Sequence, residues 1–136
     1  MQTDHYLKSL ESASETTTHN RVLSLMKDNH PSIYLESGQS KVYGKGMPVC
    51  LFTDTKSISA IRSLRNTSNI EIVTIRVNSK AELSQTISND VFTSLEGVRY
   101  IHIIVTFDIR GTELNNFIKT ESNAPYTVFY SVEKPS

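Results

Sequence analysis

The sequence contains no tryptophan, one cysteine and no excess of either charge among its 136 residues. A single cysteine cannot form an internal disulfide, and Cys50 stands in the apolar run Val49–Phe52, so we expect a small buried side chain. Lys plus Arg equals Asp plus Glu at 14 each, so the chain as a whole offers no long-range attraction to a polyanion. Neither nucleic acid nor an anionic membrane surface is therefore an expected partner.

Long hydrophobic runs are also absent from the sequence. No stretch approaches the roughly 18 apolar residues that cross a bilayer, so membrane insertion is not expected. The first residues, Met1–His5, have neither the basic nor the apolar segment of a signal peptide. The sequence predicts a soluble chain, either cytoplasmic or exported with its leader missing from the sequence, and it does not choose between these compartments.

The first third of the chain is predicted to form two helices and a hairpin. The length is typical of one domain, so we expect a single domain over 1–136, in which residues 1–46 form an N-terminal cap. Tyr6 and Leu10 have the spacing of one face of a short helix. A second helix is predicted over Thr18–Asp28, and a turn-rich tetrapeptide between two β-prone runs predicts a hairpin over Ile33–Tyr43.

Residues 47–136 alternate between apolar, β-branched runs and segments with helical spacing. Strands joined by connections of this length indicate a parallel sheet with right-handed crossovers. We therefore predict the α/β fold class, with about four strands in this β/α region. The predicted strands are Val49–Thr53, Ile70–Val77, Val98–Phe107 and Tyr126–Val132, and the predicted helical crossovers are Ser57–Arg65, Ala81–Ser94 and Thr112–Thr120.

The two central predicted strands differ between their two faces. One face is uniformly apolar and includes Val73 and Ile101, whereas the other is mixed. A parallel sheet covered on both faces is apolar at nearly every strand position. We therefore expect helices mainly on one face and expect the mixed face to be open. The mixed face presents Thr74, Arg76, Tyr100, His102 and Ile104.

The spacing of apolar residues over Ser57–Phe107 resembles that of leucine-rich repeats, which have apolar residues at the first, fourth and sixth positions and Asn at the ninth. Two units follow this pattern, and their starts lie 28 residues apart, within the roughly 20 to 29 residues of this repeat. The matching residues are Ile70, Val73, Ile75 and Asn78 in the first unit and Val98, Ile101 and Ile103 in the second, where Thr106 replaces the Asn.

The resemblance implies a solenoid in which each unit stacks on its neighbour and residues 1–46 cover the end of the stack. An ordinary three-layer α/β domain is the alternative, because any β-strand and helix unit supplies apolar residues at some of these positions. The two architectures differ in curvature and in whether one face of the sheet is open.

Acidic residues follow two of the predicted strands. Ligands bind open α/β sheets at the carboxyl ends of strands, so Asp54 and Asp108, expected at neighbouring strand ends, form a candidate site for a divalent cation such as Mg²⁺. Capping competes with this interpretation and is favoured, because both residues precede predicted helices whose first amides need acceptors. No zinc spacing, phosphate loop, dinucleotide fingerprint or catalytic serine elbow is present, so no cofactor is predicted.

Two functions from different classes are compatible with the sequence. The first is a non-catalytic module that binds a protein or peptide through the mixed face, where Tyr and Arg are side chains on which binding energy concentrates. The alternative is a small metal-dependent hydrolase that uses Asp54, Ser57 and Asp108. His102 is the one histidine on a predicted core strand, and we favour a hydrogen-bonded surface role for it over general-base catalysis. The binding module is the preferred hypothesis.

Overall fold

The computed structural model describes residues 1–114, 116–118 and 124–134 and has the predicted α/β class. In these ranges two α-helices precede a six-stranded sheet, and the described parts of the connections after the third strand contain short 3₁₀ turns instead of α-helices. No helix in the described ranges is both long and apolar enough to cross a membrane. The elements are α1 (Thr3–Ser12), α2 (Thr16–Lys27), β1 (Ser32–Glu36), β2 (Gln39–Tyr43), β3 (Cys50–Asp54), β4 (Ile72–Val77), β5 (Tyr100–Val105) and β6 (Thr127–Val132).

The sheet has the strand order β2-β1-β3-β4-β5-β6. All neighbouring pairs are parallel except β1 and β2, which form the predicted antiparallel hairpin. The strands β3, β4, β5 and β6 lie side by side in the order in which they occur in the chain, and β1 lies between β2 and β3. Ile72 of β4 pairs with Tyr100 of β5, so the register of this central pair follows the 28-residue spacing seen in the sequence.

A two-residue turn joins β1 to β2 and fixes their register. Ser37 and Gly38 have φ values of 52° and 73°, and Glu36 pairs with Gln39 across the turn. Positive φ at both central positions is typical of a type I′ turn, whose twist matches that of the strands. This geometry makes Glu36 and Gln39 a hydrogen-bonded pair, so the backbone N–H groups of the alternate residues Ser40 and Val42 point away from β1.

Side chains along the strands alternate between two buried clusters on opposite faces of the sheet. On the connection face, residues such as Val73 and Ile101 pack against Ile61 of the first connection and Phe92 of the second, and all four are buried. On the helix face, strand residues pack against α1 and α2. The buried residues of this second cluster are Tyr6, Leu10, Val22, Leu25, Cys50, Ile72, Tyr100 and Phe129.

In their described residues the three predicted helical crossovers contain 3₁₀ turns and no α-helix, so that part of the prediction was wrong. The first contains the 3₁₀ turn Ile58–Ser63, and the second contains two, Lys80–Ser84 and Asn89–Phe92. The third contains the turn Gly111–Leu114, and residues 115, 119 and 120 of that prediction lie outside the described residues.

Polar side chains bond to backbone groups at the ends of the short turns. Asp54 Oδ1 accepts a hydrogen bond from the N–H of Ser57 at 2.8 Å, and Ser88 Oγ accepts one from the N–H of Asp90 at 3.3 Å. Thr93 Oγ1 donates to the carbonyl of Asp90 at 2.8 Å. Such bonds fix where a turn begins or ends but not how far it continues, so apolar spacing with a cap overestimated these helices.

Candidate binding cleft

An aromatic cluster lies on the helix face of the sheet at the end nearest the hairpin. Tyr34 of β1 pairs with Phe52 of β3, and their rings stack with centroids 4.7 Å apart. Tyr43 of β2 meets Tyr34 edge-on at 5.0 Å. These contacts follow from strand alternation, which places all three residues on the same face of adjacent strands.

The helices leave this end of the sheet uncovered. The strand residues buried beneath α1 and α2 belong to β3, β4, β5 and β6, whereas Tyr34 and Tyr43 remain 38% and 52% exposed. The C-terminal end of α2 and the turn into β1 form one wall of a cleft of about 780 Å³, with the aromatic cluster on the opposite side. We call this space the aromatic cleft; it is large enough for a small ligand or a few side chains of a partner.

Hydrogen bonds fix the wall that follows α2. His30 Nε2 lies 3.0 Å from Oγ and 3.1 Å from the carbonyl oxygen of Ser24, so the ring closes the last turn of α2. The hydroxyl of Ser32 donates to the carbonyl oxygen of His30 at 2.8 Å. Pro31, whose carbonyl accepts from the N–H of Val49 at 2.8 Å, ties the turn to the start of β3. The wall therefore has a defined conformation, held by these hydrogen bonds.

Cys50 lines the aromatic cleft but is buried, as the sequence predicted. Its thiol points toward the carbonyl oxygen of Leu25 at 3.7 Å, and its side chain belongs to the core beneath α2. Burial raises the pKa of the Cys50 thiol, which disfavours the thiolate that a nucleophile requires. Cys50 therefore serves as packing at the floor of the cleft.

The five residues expected on an open sheet face have different surroundings. Tyr100, Thr74 and His102 are buried at 8%, 8% and 7% exposure, because α1 and α2 cover that part of the helix face. The expectation that these three are open to a partner was wrong. Arg76 is exposed and Ile104 is half-buried, so these two remain accessible. These three residues are buried because the N-terminal helices, which we expected to cover the end of a stack of repeats, pack across the face of the sheet instead.

The two candidate metal ligands do not form a site. Asp54 ends β3 and Asp108 follows β5, and β4 lies between these strands, so the expectation of neighbouring strand ends was wrong. Two strand spacings amount to about 10 Å, beyond the reach of one cation. Asp54 caps the Ser57 amide, as the capping interpretation predicted. Oδ1 of Asp108 instead lies 2.6 Å from Nζ of Lys134 and forms an ion pair with it. Across the described part of the chain, no cluster of three or more His, Cys, Asp or Glu side chains could hold a metal ion.

The chain has no significant match among protein-family models, curated proteins or solved structures. The case for its function therefore depends on the chemistry of its own surfaces.

The aromatic cleft was missed by the sequence reasoning, although its residues lay within predicted strands. Tyr34 and Tyr43 belong to the predicted hairpin and Phe52 to the following strand. The alternation of side chains along a strand is the signal that could have located it. Tyr34 stands two residues after Ser32 and Phe52 two after Cys50, so the two aromatic side chains of these paired strands point to one face of the sheet.

Proposed function

We propose that this chain is a non-catalytic module that binds an extended peptide segment of a partner protein at the aromatic cleft and along β2. The observation that carries the proposal is the cluster of Tyr34, Tyr43 and Phe52 beside an open cavity. Single exposed aromatic residues are common, but a cluster in a concave site matches the anchors on which binding energy concentrates. Arg76 and Ile104 extend the accessible surface along the helix face.

The edge of the sheet beside the cleft supports an extended peptide as the occupant. β2 is the terminal strand, and no backbone pairing to its outer side is formed by the described residues. The outward N–H groups of Ser40 and Val42 can pair with an added strand, which is a common mode of peptide recognition. A strand added there would lie next to Tyr43, so its side chains could enter the aromatic cleft.

A second copy of the chain is a poorer occupant of this edge. Full antiparallel overlap of two β2 strands would place Lys41 directly opposite its own copy, and like charges at such positions are destabilising. A lysine in the middle of an edge strand is one of the devices that discourage pairing between copies. The edge therefore favours a different sequence from its own.

The repeat-like interpretation belongs to the same proposal. The sequential order of β3, β4 and β5 and the 28-residue register between the last two support it, because stacked units place consecutive strands side by side. In that interpretation, α1 and α2 cover part of the surface that repeat strands would otherwise present, and the aromatic cleft is the part left open.

The test is selection of peptides on the full chain. A random peptide library displayed on phage is selected on the immobilised chain, and the Kd of each enriched peptide is then measured by fluorescence anisotropy. Tyr34→Ala removes the central ring of the cluster, and Ser40→Pro removes an outward N–H. We expect each change to weaken binding about tenfold or more, the loss typical of an interface anchor.

Two conservative variants control for indirect effects. Tyr34→Phe keeps the ring stack, and Ser40→Thr keeps the outward N–H, so both should bind the peptides within about threefold of the parent chain. The proposal is contradicted if the library yields no peptide that discriminates Tyr34→Ala from Tyr34→Phe, or if Ser40→Pro folds and binds as tightly as Ser40→Thr.

A further inference from the structure

A second, smaller cavity lies beside the aromatic cleft, between α1, α2 and the sheet. Its volume is about 260 Å³, and it is lined by apolar side chains including Leu7, Phe52 and Ile104. We call it the inner pocket. Two polar side chains that are more than nine-tenths buried, His102 and Thr74, also line it. Polar groups buried to this degree need hydrogen-bond partners, so their bonding shows which ligand chemistry the pocket accepts.

The hydrogen bonds around His102 determine which of its nitrogens carries the proton. Thr3 Oγ1 lies 2.9 Å from the carbonyl oxygen of Tyr130, which can only accept, so Thr3 donates there. Thr3 then accepts from the hydroxyl of Ser131 at 2.6 Å, and Ser131 must in turn accept from Nε2 of His102 at 2.8 Å. The proton therefore resides on Nε2, and Nδ1 carries a free lone pair.

This order of donors excludes activation of Ser131 by His102 and leaves an acceptor available. The hydroxyl proton of Ser131 points to Thr3, so His102 is not placed to remove it. No described residue donates a hydrogen bond to Nδ1 of His102 or bonds to the hydroxyl of Thr74. Neither atom is fully buried, because no fully buried side-chain nitrogen or oxygen among the described residues lacks a hydrogen-bond partner. Both atoms therefore keep some accessible surface, and both side chains line the inner pocket.

The charged groups at the mouth of the inner pocket favour a cation. Asp4 of α1 and Glu133 after β6 line the pocket and form no ion pair with any described residue, and Lys27 is the one basic side chain among the lining residues. Two carboxylates facing one ammonium give the mouth a net negative charge. Burial lowers the pKa of His102 to about 4, so its ring stays neutral and accepting near pH 7.

We propose that the inner pocket is a binding site for a small organic amine. The ammonium donates to Nδ1 of His102 and to the hydroxyl of Thr74, while the apolar body of the ligand packs against Leu7, Phe52 and Ile104. The cavity is smaller than the roughly 300 to 1,000 Å³ of pockets for drug-sized molecules, so the ligand is a compact one. The inner pocket shares Phe52 with the aromatic cleft, but its polar contacts, His102 and Thr74, are not among the residues that line the cleft.

The test compares amines with anions of the same shape. 2-Phenylethylamine and 3-methylbutylamine are titrated into the full chain, alongside 3-phenylpropionate and 4-methylpentanoate, and binding is followed by nitrogen-15 NMR of the backbone and of the His102 ring. We expect the amines to shift the Nδ1 resonance of His102 and the amide signals of Thr74 and Asp4. The anions should leave these signals unchanged.

Variants assign the binding to the inner pocket. Asp4→Asn changes an exposed carboxylate, and Thr74→Val removes a hydroxyl with little change in volume; each should weaken amine affinity threefold or more. Asp108→Asn and Ser40→Pro change positions outside the pocket lining and should leave the amine affinity unchanged, so a failure here is distinguishable from a failure of peptide binding. The proposal is overturned if the amines cause no shift up to their solubility limit, if the anions bind equally well, or if both pocket variants keep the parent affinity.

Discussion

Nε2 of His102 lies 2.8 Å from Oγ of Ser131, and this contact joins β5 to β6 at the point where α1 reaches the sheet. Ser131 continues the chain of hydrogen bonds to Thr3 in the first turn of α1. The ring of His102 also stacks on Phe129, with centroids 5.0 Å apart. A buried imidazole held in this way is stable in its neutral form, because a charged ring would lose the hydration it has in water.

The first prediction concerns the pH dependence of stability. The folded-state pKa of His102 is lowered to about 4 from an unfolded value of 6.5, so the unfolded chain binds a proton first as the pH falls. Stability from the neutral ring is fully present above pH 6.5 and is lost between pH 6.5 and 4. Between pH 7 and pH 4.5 we expect His102 to reduce the free energy of unfolding by about 2 kcal/mol.

Urea denaturation at both pH values measures this effect. His102→Gln should lower the stability at pH 7 but should remove most of the difference between the two pH values. His5→Gln changes an exposed histidine and should leave the difference as it is in the parent chain. An equal loss of stability on acidification in the parent chain and in His102→Gln would contradict the assignment.

The strands and the hairpin could be predicted from sequence because their signals are local. Apolar, β-branched runs between turn residues located β3 to β6, and the sequence Ser37-Gly38 between two short runs located the hairpin. The helix Thr16–Lys27 agrees with the predicted Thr18–Asp28 within two residues at each end. The form of the connections could not be predicted, because apolar residues at helical spacing and a capping residue such as Asp54 occur before a short 3₁₀ turn as well as before an α-helix.

The candidate sites depend on contacts between distant parts of the chain, which explains why sequence reasoning found only part of them. Residue alternation correctly separated the faces at Ile103 and Ile104, but nothing local indicated that α1 would pack over His102. The hydrogen bond between Thr3 and Ser131 joins residues near opposite ends of the chain. Such a pairing leaves no periodic signal, and a single sequence gives no other way to detect it.

A second prediction concerns Gly97, which approaches another loop too closely for a side chain. A Cβ at this position would lie 2.8 Å from the carbonyl oxygen of Ser68 and 3.3 Å from that of Ile70, and both are backbone atoms that cannot move aside independently. Gly97→Ala should therefore reduce the free energy of unfolding by about 1 to 3 kcal/mol through overpacking. Glu96→Ala at the exposed neighbouring position should stay within about 0.5 kcal/mol of the parent chain. A Gly97→Ala chain that melts at the parent temperature would show that the two loops separate easily.

The last prediction compares lysine at two adjacent positions of β5. Ile103 is 1% exposed in the cluster on the connection face, whereas Ile104 is half-buried and lines the inner pocket. An ammonium at position 103 would be enclosed by apolar side chains, so Ile103→Lys should cost several kcal/mol or prevent folding. At position 104 the long side chain can extend through the mouth of the pocket and keep its charge in water, so Ile104→Lys should cost about 1 kcal/mol or less.

Thermal melts and urea denaturation of the two variants measure the difference directly. The comparison is informative because the two positions share the same strand and differ only in the face to which the side chain points. A large difference means that water reaches the helix face beside His102, as the inner pocket requires. Equal and severe losses in both variants would mean that α1 and α2 close over Ile104 in solution, leaving the inner pocket without an entrance for any ligand.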